Sequence, residues 1–430
     1  MSDDAFDAIV VGAGCAGSVA AYTLAKAGKS VLVIERGNFA GSKNMTGGRI
    51  YAHSLKKAFP DFEQNAPLER KITHEKISFL APDSNFTIDF TGKNLGQEGK
   101  DAYSVLHAQF NPWLAEQAEN AGANFVYGIR VDELIVRDGK VRGVKAGDDE
   151  LEARVTIVAD GCNSLLAQKI GLAEEPQLVE MAVGAKEVIE LPANVIEDRF
   201  NCNPGEGASW LFAGDSTHGH VGGGFLYTNK NSISLGIVAT LSDLITAETP
   251  VYQMLEDFKN HEAVRPLVKD GKVIEYSGHL VPEGGYRMIP KLVGDGVLVT
   301  GDAAMLCINL GYSVRGIDFA IASGEMAGQA ASKALDASDV SKNGLDSYIE
   351  LLKNSFVMKD LEQFQKFPHT MESTKHLFKG YPEMVRDMMT ALFVVDGQPV
   401  EPIRRKLMRP VKEIGLMTVA KEMMGMVKSL

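Results

Sequence analysis

Cysteine is scarce in this 430-residue chain: Cys15, Cys162, Cys202 and Cys307 stand 147, 40 and 105 residues apart, with no Cys-x-x-Cys pair. That spacing excludes a zinc knuckle or an iron–sulfur cluster built from this chain's own closely spaced ligands, so no metal site is expected. Basic residues are outnumbered, 44 Lys+Arg against 56 Asp+Glu, and the formal charge of −12 has the wrong sign for a nucleic-acid surface. No apolar run reaches the ~18 residues that a spanning helix needs. The opening MSDDAFDAIVVGAG is acidic where a secretory leader is basic. A reduced, cytoplasmic protein is the expectation, with peripheral contact on the inner face of the cell membrane left open. What remains suits a large core, with 45% apolar and 23% charged residues.

Glycine is present at 43 positions and is concentrated in a few places, the first at the opening. Phe6–Val11 reads as a buried strand, Gly12-Ala13-Gly14-Cys15-Ala16-Gly17 follows, and Ser18 to Ala27 reads as a helix that Gly28 ends. Ser30–Glu35 is a second buried strand, which completes a βαβ unit. In such a turn Gly12 permits the tight bend, Gly14 lets backbone amides approach a pyrophosphate, and Gly17 lets the helix sit close to the sheet. The helix N-terminus supplies the partial positive charge. Glu35, at the end of the second strand, is placed for ribose hydroxyls and would repel a 2′-phosphate.

This fingerprint does not choose between NAD and FAD, but two later strand ends do. Ile157-Val158-Ala159-Asp160-Gly161 ends in Asp-Gly, and Val297 to Ala304 carries Gly301-Asp302 before a small-residue helix. A carboxylate beside glycines at a strand end can take a ribityl hydroxyl while nearby amides hold phosphate. In this order the three segments look like the FAD-binding set of aromatic-hydroxylase-like flavoproteins, so FAD is the expected cofactor.

Between these landmarks, residues 72–90 alternate apolar and polar, 125–158 reads as a strand meander, 180–240 as an antiparallel sheet, and everything beyond about 316 as helix. The expected organisation is a discontinuous nucleotide-binding domain (1–75, 100–175 and 286–335), an inserted sheet domain (76–99 and 176–285) and a helical region (336–430).

Four further segments carry a resemblance: Ile34-Glu35-Arg36-Gly37, the loop Lys43-Asn44-Met45-Thr46-Gly47-Gly48-Arg49, Gly222 to Asn229, and Asn309-Leu310-Gly311-Tyr312-Ser313-Val314-Arg315-Gly316. They closely resemble the FixC-type proteins of the electron-transfer-flavoprotein:quinone oxidoreductase family, essentially end to end. The resemblance implies an α/β fold with an FAD-binding Rossmann-like domain of the aromatic-hydroxylase/geranylgeranyl-reductase kind, an inserted antiparallel-sheet domain and a helical C-terminal part. It implies a non-covalent FAD, reduced by a two-subunit electron-transfer flavoprotein and reoxidised toward a quinone. Gly12, Gly14, Gly17, Glu35, Arg36 and Asp302 match family FAD positions, and Val131 matches the position whose backbone meets the adenine. The Asn44–Gly48 loop, with Gly47, and the Asn309–Gly311 turn match segments lining the isoalloxazine. Ala13, Cys15, Ala16, Asp160, Gly161 and Gly301 complete the candidate FAD-binding set with His107.

His107 stands where relatives carry Arg, and Asn111 where they carry Asp. An imidazole is mostly neutral at pH 7, so FAD affinity is expected to vary between pH 5.5 and 8. Longer family members carry an iron–sulfur module; four scattered cysteines do not supply one, so the resemblance implies a separate small ferredoxin-like partner. No catalytic acid, base or nucleophile is proposed, because electron transfer requires none. A prenyl-chain reductase, an aromatic hydroxylase, and an assembly protein with a structural FAD remain open alternatives.

Other features are read more plainly. His218-x-His220 reads as loop rather than ligand, and Cys15 as a small helix-start residue. Ten of 17 methionines lie between Met358 and Met426. Leu416, Val419, Ala420, Met423, Met424, Val427 and Leu430 form one apolar stripe in a segment, 401–430, of net charge +4. That stripe either docks on the protein's own core or meets a membrane surface or partner.

Overall fold

The computed structural model describes residues 6–44 and 47–430; the acidic opening, 1–5, and Met45 and Thr46 of the predicted loop lie outside them. Unbroken runs of Val, Ile and Ala bury Phe6–Val11, Val31–Glu35 and the end of Asp149–Val158 as strands. They pair in parallel in the order Val297–Val299, Asp149–Val158, Phe6–Val11, Val31–Glu35, Asn124–Tyr127. Val293–Gly294 adds an antiparallel edge, and the hairpin Glu133–Arg137/Lys140–Ala146 folds onto the start of Asp149–Val158. The fingerprint helix, Cys15–Lys26, packs on the long helix Ile317–Asp336 through glycine. A Cβ at Gly328 would stand 2.7 Å from that of Thr23, so only glycine permits this approach.

The second sheet has nine strands, in the order Lys272–Pro282, Met181–Glu190, Ser232–Thr240, Gly222–Thr228, Glu206–Gly214, Leu68–Ala81, Ala102–Val105, Gly48–Tyr51, with Ser84–Thr91 paired to Leu68–Ala81. It is mixed rather than antiparallel throughout, because Glu206–Gly214 runs parallel to Leu68–Ala81. Leu68–Ala81 also runs unbroken through the boundary expected at 75/76. Gly48–Tyr51 and Ala102–Val105, expected among the nucleotide-binding segments, pair into this sheet as well. Arg70 explains the continuity. Its guanidinium, 1% exposed, donates to the carbonyls of Asn229, Glu206 and Lys230 and to the Glu197 carboxylate. A buried cation so tied fixes the strand in the larger sheet.

Two helices inside the expected sheet region, Ala193–Phe200 and Val251–Asn260, bury Ile196, Phe200, Met254 and Phe258 against Trp210 and Phe212. From Ile317 onward the chain is helical apart from short links and 394–402. The last two helices, Ile403–Ile414 and Leu416–Ser429, are separated by Gly415, whose φ of +103° no other residue adopts without strain. No helix among the described residues is long and apolar enough to cross a membrane.

Candidate functional site

A cavity of about 910 Å³ lies where the carboxyl ends of the parallel strands face the larger sheet. Parallel sheets place ligands there because helix N-termini converge at that edge. Gly12, Gly14, Cys15 and Ala16 of the fingerprint line it, with Glu35, Arg36, Val131, His107, Asp160, Gly161 and Asp302. Asn44, Gly47, Gly48, Asn309 and Gly311 line it too. The structure therefore gathers sixteen of the nineteen predicted residues on one cavity.

Ala13, Gly17 and Gly301 are not on its wall, for local reasons. Ala13 is fully buried and its N–H donates to Glu35 Oε2 at 2.9 Å, while the Gly37 N–H donates to Oε1 at 2.6 Å. The Glu35 carboxylate thus clamps the glycine turn from the cavity edge. Gly17 packs beneath Gly12, where a Cβ would press on Val10 at 3.2 Å. Gly301, at φ +63°, donates its N–H to Ser323 Oγ at 3.2 Å and lies where a Cβ would stand 2.6 Å from that of Ala16.

The remaining residues suit a dinucleotide. Helix Cys15–Lys26 starts at Gly14 with no side-chain cap, so its first amides are left for a ligand. A Cβ at Gly14 would meet nothing nearer than Asn44 Nδ2 at 3.9 Å, which marks open space beside those amides. Asp160 Oδ2 accepts from the Leu166 N–H at 3.3 Å, whereas its buried Oδ1 has no partner among the described residues. Burial pushes this carboxyl up to about 6. An orphaned acceptor on a cavity wall is suited to a ligand hydroxyl.

His107 is held on the cavity wall through Asn111. Asn111 Oδ1 accepts from His107 Nδ1 at 3.2 Å and from Cys15 Sγ at 3.3 Å. Burial, with smaller repulsions from Lys186 and His279, lowers the imidazole to about 4 against the favourable Asn111 bond. In the free site it is therefore mostly neutral over pH 5.5–8, and His107 gives FAD affinity a pH dependence there only if bound phosphate raises its pKa. Burial, aided by Asp302, pushes the Cys15 thiol up to about 12, which removes thiolate chemistry.

The opposite end of the cavity is apolar. Phe367, Met371 and Met426 come from the C-terminal helices, Leu377, Phe378 and Leu430 from the segments that join or end them, and Ile77, Phe79, Phe212 and Phe225 from the larger sheet. Glu283 also lines the cavity, with its Oε2 3.5 Å from Asn309 Nδ2. Sequence reasoning missed Glu283 and the C-terminal contribution. A single carboxylate in a Pro-Glu-Gly-Gly turn carries no motif, although the methionine-rich tail hinted at an adaptable wall. Of the C-terminal stripe only Val419 is buried; Leu416, Met423, Met424, Val427 and Leu430 are exposed, Leu430 lines the cavity, and Met426, off the stripe, lines it too. His218 and His220 face separate carboxylates, Asp257 at 3.1 Å and Asp243 at 3.8 Å.

The model of the FAD dependent oxidoreductase family matches residues 7–93 and 98–330, which makes the chain an FAD-dependent oxidoreductase, and two sheets meeting over such a cavity fit that class. The same fold appears in a geranylgeranyl bacteriochlorophyll reductase-like protein from Thermoplasma acidophilum (TM-score 0.72, 20% identity, 97% of this chain and 98% of that one). The ETF-QO/FixC family C-terminal domain matches residues 367–430, the helices that form the apolar end. Over 98% of each chain the protein is 52% identical to Probable electron transfer flavoprotein-quinone oxidoreductase YdiS and 50% identical to Protein FixC, both of Escherichia coli K12. The chain belongs to the ETF-QO/FixC family of flavoprotein oxidoreductases, as its four resembling segments led one to expect.

Proposed function

We propose that this protein holds one FAD non-covalently along the cavity, takes electrons from a two-subunit electron-transfer flavoprotein and delivers them to a quinone. The observation that carries the reading is the continuity of the cavity. A phosphate-suited helix terminus at one end joins, past the Asn309 turn, an apolar end supplied by the family's C-terminal helices. The adenosine lies by Glu35, Arg36 and Val131. The pyrophosphate lies at Gly14, Cys15 and Ala16, where the helix terminus contributes about 0.3–1 kcal/mol toward a negative charge. Asp160 and Asp302 take ribityl hydroxyls, and Asn44, Gly47, Gly48, Asn309 and Gly311 flank the isoalloxazine. When bound, FAD supplies one- and two-electron redox chemistry. The phenylalanines and methionines at the far end exclude water and receive an apolar acceptor.

The exposed apolar residues of the C-terminal part favour a peripheral membrane position, from which a lipid-soluble quinone enters. Phe393, Val395 and Val400 are 79%, 84% and 81% exposed, and Arg404, Arg405, Lys406 and Arg409 follow on helix Ile403–Ile414. Apolar side chains beside cations suit an anionic lipid surface. A small ferredoxin-like partner completes the chain of carriers.

The test is anaerobic flavin titration of the purified protein with its candidate partners. Bleaching by a reduced electron-transfer flavoprotein and recovery with a quinone analogue support the reading. Bleaching by NAD(P)H with an aromatic acid, without the flavoprotein, would assign it to the hydroxylases instead.

A further inference from the structure

Reducing a quinone to a quinol consumes two protons as well as two electrons, so the proton source is a question apart from the electron path. At the nucleotide end the carboxyls are engaged or assigned: Glu35 clamps the turn, Asp132 accepts from Arg130 and the Gly147 N–H, and Asp160 and Asp302 are the ones proposed above for ribityl hydroxyls. The cysteines of the wall are poor donors. Cys307 Sγ donates to the Pro282 carbonyl at 3.1 Å, and burial holds its thiol well above the ordinary value; Cys15 Sγ donates to Asn111 Oδ1 at 3.3 Å and is pushed up to about 12. Arg315, which also lines the cavity, gives its guanidinium to Asp318 and Asp360.

Glu283 differs from all of these. Its N–H donates to the Glu180 carbonyl at 2.7 Å, which pins the backbone at the end of strand Lys272–Pro282. Its side chain sits on the cavity wall with Asn309 Nδ2 as its partner and no cation bonded to it among the described residues. Two residues on, a Cβ at Gly285 would lie 3.3 Å from Pro368 of helix Phe367–Ser373, the helix that supplies Phe367 and Met371 to the apolar end. Glu283 thus stands at the junction of the Asn309 turn and the apolar end. The titratable group shown to interact with it is Cys307, whose thiol its charge raises, while His279 on the same strand, Asp302 and Asp160 line the same cavity. Burial pushes its carboxyl up to about 7, against a weak opposing effect of Asn309, so both protonation states are populated at neutral pH. That is the condition for efficient proton exchange.

We propose that Glu283 is the proton-donating group for the quinone in this cavity. The inference rests on the FAD and quinone reading above. The quinone takes two electrons and one proton from the reduced cofactor and its second proton from the Glu283 carboxyl. Both carbonyl oxygens then carry O–H bonds, and the carboxylate is reprotonated from water.

The experiment photoreduces the FAD of the holoprotein and follows its reoxidation in stopped flow by a short-chain ubiquinone analogue and by ferricyanide, which accepts electrons without protons. Glu283→Gln is expected to lower the ratio of quinone to ferricyanide rates about a hundredfold. It should also abolish the wild-type decline of the quinone rate above pH 7. Glu283→Asp should recover part of the ratio. Infrared spectra of the oxidised holoprotein should show a carboxylic-acid band that titrates near neutrality in the wild type and is missing from Glu283→Gln. An unchanged ratio and pH profile would overturn the proposal, as would equal slowing with both acceptors. A wild-type protein that ferricyanide reoxidises and the quinone does not would instead overturn the quinone reading beneath it, and the proposal with it.

Discussion

The two ends of the cavity are built on opposite plans. At the nucleotide end the wall is mostly backbone: a glycine turn, an uncapped helix terminus and carboxylates at strand ends, each placed by residues close in sequence. At the apolar end the wall is side chains, gathered from Ile77, Phe225, Phe367 and Leu430, which meet only when the larger sheet and the C-terminal helices pack together. Backbone geometry tolerates little change and serves any dinucleotide enzyme, whereas a wall of Phe, Met and Leu is adaptable. In the function proposed above, the first plan holds the cofactor and the second meets the acceptor.

Substitutions at either end should break this contrast in different ways. The largest effect is expected from Phe367→Ala, which removes a side chain 1% exposed in the main core and should cost about 3–5 kcal/mol in urea unfolding. The protein that stays folded should retain FAD and lose quinone reduction. If its FAD is lost in the same proportion, the two ends are not separable. Gly12→Ala comes next. With φ at +101°, any Cβ is strained by ~1–2 kcal/mol before its overlap with the Ala159 carbonyl is counted. FAD binding should weaken by more than about tenfold, read by fluorescence titration, while the C-terminal helices keep their structure.

Met417→Glu with Val427→Glu acts outside the cavity, at residues 82% and 74% exposed. Stability should shift by no more than about 0.5 kcal/mol, while sedimentation with anionic vesicles should fall. Unchanged sedimentation would remove the membrane reading and leave the cavity argument intact. The smallest effect is expected from His107→Gln. The folded-state imidazole, lowered to about 4, is already neutral over pH 5.5–8, so the pH profiles of FAD dissociation for variant and wild type should superimpose. A profile that flattens only in the variant would mean that the bound pyrophosphate raises the His107 pKa into this window.

The contrast between the ends also explains what was legible in the sequence. Gly12, Gly14 and Glu35 are readable because a βα turn fixes its requirements within a few residues. The same motif over-promised at Ala13: in so tight a turn adjacent amides point apart, and the Ala13 N–H meets Glu35 rather than a ligand. Leu68–Ala81 was cut at 75/76 because nothing local announces that Arg70 will be bound by carbonyls more than a hundred residues away. Glu283 was invisible for the same reason: its burial and its Asn309 partner exist only after the second sheet has closed over the first. The C-terminal stripe was seen, but a hydrophobic pattern specifies a face and not what covers it, and here only part of that face turns inward.

The most direct measurement is stoichiometric reconstitution of the apoprotein. The arrangement around Gly14, Asp160 and Asn309 predicts uptake of one FAD per chain, with a flavin spectrum perturbed by its surroundings and no comparable binding of FMN or NAD. A protein that remains colourless under saturating FAD, or that takes up FMN equally well, would contradict it.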